Sequence, residues 1–119
     1  MSNSITDESQ MVGVFGQMVS LAQANGPDVE LIVSGTELYA TYQTPEGFSV
    51  VYDEGQGLFC YAKLAQGKFL STGVPVTASP PPEAARDAKE SDDVRMHKIA
   101  ERTAQMERRA QATNKERPQ

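Results

Sequence analysis

Cys60 and His97 are the one pair of residues whose types could make a thiolate nucleophile and its base, because the 119-residue chain holds one cysteine and one histidine. In Leu58-Phe59-Cys60-Tyr61-Ala62-Lys63 the thiol shares a predicted strand face with Leu58 and Ala62, the setting of a buried, inert cysteine. His97 stands among Arg95, Lys98 and Arg102, where a solvated histidine is the plainer reading. A thiol hydrolase built on this pair is therefore a formal reading only. Asp53 with Glu54, and Asp28 with Glu30, are candidate carboxylate pairs in the body of the chain. The first enters a glycine-rich turn and the second flanks Val29 at the start of a predicted strand, so both read as solvated. Gly55-Gln56-Gly57 lacks the further glycine and the Lys-Ser/Thr of a phosphate loop, and residues 53–57 offer too few spaced oxygens for an EF-hand. We expect no enzyme, no metal site and no cofactor.

A second chemistry is electrostatic. Arg95, Lys98, Arg102, Arg108 and Arg109, followed by Lys115 and Arg117, could lay a cationic helix along a phosphate backbone. Glu101, Glu107 and Glu116 dilute that charge, and no aromatic residue lies nearby to stack on bases. A salt-bridged, solvated helix is the stronger reading of these residues, and a nucleic-acid-associated regulator is the alternative.

Composition bounds both readings. Eleven Lys and Arg against sixteen Asp and Glu give a net charge of −5, which disfavours a general polyanion binder. All eight Phe and Tyr residues precede Val74, so the core must come from the first part of the chain. A lone cysteine excludes an intramolecular disulfide, and no apolar run approaches the ~20 residues that cross a bilayer. Residues 1–10 carry neither the basic start nor the apolar stretch of a signal peptide, so we expect the whole chain to act in the cytoplasm, away from membranes.

The elements that must position these residues follow from periodicity. Met11, Val14, Phe15, Met18, Leu21 and Ala22 recur at three- and four-residue steps, which predicts a helix over 6–24 that stops at Asn25-Gly26-Pro27. From Val29 the pattern changes to β-branched and aromatic runs at 30–34, 37–43, 48–53, 58–64 and 68–71, separated by turn residues. The expected fold class is α+β, an N-terminal helix packed on a four- to five-stranded antiparallel meander over residues 1–76. Pro80-Pro81-Pro82 marks a Pro-rich, acidic linker over 77–90. Ser91 then caps a charged helix over 91–113, docked through Met96, Ile99 and Met106, before a disordered tail at 114–119. Because residues 83–119 supply no Leu, Phe or Tyr, a chain ending at Ser79 is expected to fold by itself.

If even-numbered residues of these strands face the first helix, alternation sends Tyr39, Val51, Phe59 and Tyr61 to the other side. An aromatic patch of that kind calls for a cover, either a partner protein or a second copy. The sequence thus reads as a small, acidic, non-enzymatic protein-binding module of inhibitor, immunity, chaperone or adaptor type. It engages its partner through one sheet face and carries a docking C-terminal helix.

Overall fold

A computed structural model describes residues 14–116 of the protein. Six strands, β1 (Val14–Gln23), β2 (Gly26–Gly35), β3 (Ala40–Gln43), β4 (Ser49–Asp53), β5 (Leu58–Ala65) and β6 (Lys68–Pro75), precede one helix, α1 (Asp92–Glu116). They form a single antiparallel sheet in the order β1 to β6, each paired with its neighbour in sequence.

The expected N-terminal helix is not there. Its residues 6–13 lie outside the described residues, and the remainder is strand β1, so the chain opens with a hairpin. Two features of the sequence decide this. Gly16 sits at a φ of +65°, a left-handed conformation that no right-handed helix accommodates, and the ladder slips beside it between Val14 and Gln17. Ala24-Asn25 forms the hairpin turn, with Gln23 opposite Gly26 at the start of β2, instead of ending a helix. Val19 and Leu21 then stand across from Leu31 and Val29, a spacing of two that the helical reading passed over.

The β1–β2 hairpin folds back over the sheet and makes the core. Val29, Leu31, Val50 and Phe59 are buried together, with Leu21, Tyr42 and Val76 packed against them. Polar contacts pin the hairpin tip to the β4–β5 turn. Asn25 N–H donates to the Gly57 carbonyl at 3.0 Å, Asn25 Nδ2 to the Gln56 carbonyl at 2.7 Å, and Ala24 N–H to the Tyr52 hydroxyl at 3.1 Å. Gln23 Oε1 accepts from Phe59 N–H at 2.7 Å. The approach is close enough that a Cβ on Gly57, whose φ is +71°, would lie 2.5 Å from Asn25 Nδ2.

Beyond the proline run the chain returns to the sheet. Ser49 N–H donates to the Ala85 carbonyl and Ala85 N–H to the Ala62 carbonyl, so Ala85 lies between the start of β4 and the middle of β5 where those strands part. Phe48 bridges to Arg86, and Asp87 N–H reaches the Gly47 carbonyl at 3.0 Å. Ser91 Oγ accepts from Val94 N–H at 3.3 Å, the N-cap that its position suggests, with Asp92 and Asp93 in the first turn. The helix runs on to Glu116, and residues 107–111 are exposed. No described helix is long and apolar enough to cross a membrane.

Candidate interaction surface

Register, more than alternation within single strands, decides which side chains meet. Val50 pairs with Tyr61 and Tyr52 with Phe59, so even-numbered residues of β4 share a face with odd-numbered residues of β5. Phe59 and Tyr61 consequently lie on the core side, 7% and 5% exposed. Phe59 packs edge-on to Tyr52, and Phe48 edge-on to Tyr61, whose hydroxyl donates to the Ala78 carbonyl at 2.7 Å. Val51 pairs with Cys60 and therefore points to the opposite face. Tyr39 is in the turn before β3, not in a strand. The four residues expected to form one partner-binding patch are thus divided between the core, the other sheet face and a loop. Leu21, Val29 and Leu31 of the β1–β2 hairpin pack with Phe59 on this face, and Phe48 and residues 76–78 meet Tyr61.

Cys60 and His97 are not brought together. Cys60 is fully buried within β5, near Gln56 Nε2 at 3.8 Å, and burial pushes its thiol pKa up. His97 lies exposed on α1 with Nε2 3.1 Å from Glu101. Asp53 accepts from Ser71 Oγ at 2.7 Å and from Gln56 N–H at 3.1 Å, bonds that lower its pKa and fasten the β4–β5 turn to β6.

The residue that sequence reasoning missed is Glu90. Its side chain is 1% exposed. One carboxylate oxygen accepts from the Tyr39 hydroxyl at 2.7 Å, and the other from Phe69 N–H and Lys98 Nζ, each also at 2.7 Å. Burial by itself would raise the Glu90 pKa, but the bonds from Lys98, Phe69 and Tyr39 outweigh it and hold the carboxyl below its usual range. Tyr39 responds in the opposite sense, pushed well up by burial and by the adjacent carboxylate. Glu90 thereby joins the turn before β3, the start of β6 and the helix.

Of the residues expected to dock α1, Ile99 and Met106 are half-buried whereas Met96 is 69% exposed. Polar groups add to the docking, through Lys98 on Glu90 and Arg102 Nε, which donates to the Glu37 carbonyl at 3.3 Å. The expected anion-contacting row is accordingly partly engaged within the chain. Arg95 pairs with Asp92, Lys98 with Glu90, and Arg102 with the Glu37 carbonyl, while Arg108 and Arg109 lie on the exposed part of the helix.

The two edges of the sheet differ in kind. At the start of β6, Phe69 N–H is taken by Glu90 and the carbonyl of Gly67, in the turn before it, by Ser91 N–H, so the segment before α1 engages the first residues of that edge. At the other end β1 has no strand beyond it among the described residues. Its ten residues carry no charged side chain, and Phe15 and Met18 are 86% and 49% exposed. Such an edge offers alternate backbone N–H and C=O groups to another strand, and its ten residues include none of the lysines and prolines that usually block one. Phe15 also forms part of the wall of a cleft of about 450 Å³, together with Tyr39, Phe69 and Arg95. No protein-family model, curated protein or solved structure matches the chain.

Proposed function

We propose that the protein is a non-enzymatic protein-binding module, of inhibitor, immunity, chaperone or adaptor type, that engages its partner by strand addition along β1. The observation that carries this reading is the contrast between the edges, one engaged at its start by Glu90 and Ser91 and the other long, uncharged and unpaired among the described residues. In strand addition main-chain hydrogen bonds supply affinity, and pockets beside the edge select side chains. The cleft behind Phe15 supplies such a pocket at one end of β1. Its setting on this reading is the reducing cytoplasm, where an unpaired thiol such as Cys60 persists.

The test compares the tagged protein with a Met18→Lys/Ser20→Lys variant in retaining proteins from extracts of the organism that makes it. Both positions are exposed, and edge lysines oppose pairing without disturbing the fold. Proteins held by the wild type and lost by the variant are the expected result. An identical set of retained proteins would refute strand addition at β1.

A further inference from the structure

We infer that the strand added to β1 is the β1 strand of a second copy, paired antiparallel about a two-fold axis near Val19. This rests on the strand-addition reading above and names the partner. Three observations carry it. First, each copy has a net charge of −5, yet Val14–Gln23 contains no charged residue, so two copies meet at this edge without like charges opposed. Second, the β1–β2 ladder is regular from Gln17 to Leu21 and slips on both sides of it, which leaves a straight stretch centred on Val19. A two-fold there sets Met18 of one copy opposite Ser20 of the other, and Gln17 opposite Leu21, a self-complementary arrangement in which both copies use the same surface. Third, an isologous pairing uses the β1 edge of both copies at once, and at the start of each β6 the Phe69 N–H and the Gly67 carbonyl are already taken within the chain by Glu90 and Ser91. The assembly therefore closes at two copies, joining two six-stranded sheets without growing into a filament.

Sedimentation velocity on the full chain over a range of concentrations tests this, with two variants that reverse the edge charge. Met18→Lys/Ser20→Lys and Met18→Glu/Ser20→Glu each face like charges across the two-fold, whereas a mixture of the two faces opposite ones. The wild type is expected at twice the monomer mass by roughly 50 µM, and each variant alone as a folded monomer with its dimer dissociation constant raised at least about 30-fold. The equimolar mixture is expected to restore the dimer. Circular dichroism and melting of each variant confirm that the fold is intact. A wild type that stays monomeric to about 200 µM, or variants that dimerise as the wild type does, would overturn the inference. Monomeric wild type that still captures a protein lost by the lysine variant rejects the second copy and keeps strand addition. Absence of both rejects both.

Discussion

Glu90 concentrates more structural consequence than any other single side chain. Three donors from three elements meet its carboxylate in a site from which water is excluded, so replacing one oxygen leaves a donor without an acceptor. Glu90→Gln is expected to lower stability by about 2 kcal/mol at pH 7, read by urea unfolding. Because the folded carboxyl titrates below the usual value of 4.5, its contribution is present above that value and fades as pH falls through the lower, folded one. The gap between wild type and Glu90→Gln should therefore narrow below about pH 4.5, and a gap that stays constant to pH 3 would place the effect elsewhere. Cys60 is the counterexample, a reactive type in an inert place. Its labelling by a thiol reagent should follow unfolding, not reagent concentration, and Cys60→Ala should cost about 1 kcal/mol. The character of Cys60 was legible from its strand neighbours. Nothing near Glu90 in sequence announced its role, since Tyr39 and Phe69 lie 51 and 21 positions away.

Elements bounded by turn chemistry were legible, and the one element judged by apolar spacing was not. Thr44-Pro45-Glu46-Gly47, Glu54-Gly55-Gln56-Gly57 and Ala65-Gln66-Gly67 bound the strands β3 to β6 in both sequence and structure. Phe15, Met18 and Leu21 fit a three-residue step as well as an edge strand with exposed apolar residues, and only Gly16 and the Ala24-Asn25 turn separate the two. Face assignment failed for a related reason. A four-residue turn between Asp53 and Leu58 sets the parity of β5 against β4, which alternation within either strand does not reveal. Two predictions belong here. Gly57→Ala should destabilise by about 2 kcal/mol or more, because the hairpin tip must give way, whereas Gly55→Ala should change stability little. A chain ending at Ser79 loses the Ala85 bonds and the Glu90 contacts, so its melting midpoint should drop by roughly 10 °C or more. Ending the chain at Met106 should leave the midpoint within about 3 °C, given that residues 107–111 are exposed.

At the scale of the molecule, one chain encloses its core by folding a hairpin over its own sheet and protects one flank by returning to it after the prolines. Charge is arranged in keeping with that plan, since cations of α1 are engaged at Glu90, Asp92 and the Glu37 carbonyl. The insertion of Ala85 between β4 and β5 also has a consequence in time. A growing chain emerges at about 5–20 residues per second, and everything from β1 to β6 is available before Ala85 and Glu90 appear. For that interval the parting between β4 and β5 lacks its bridging residue and the start of β6 lacks its partners, so the nascent protein has two unprotected margins in addition to the β1 edge. Slow emergence of residues 76–90 would lengthen this vulnerable period, and the yield of properly folded protein should fall with it.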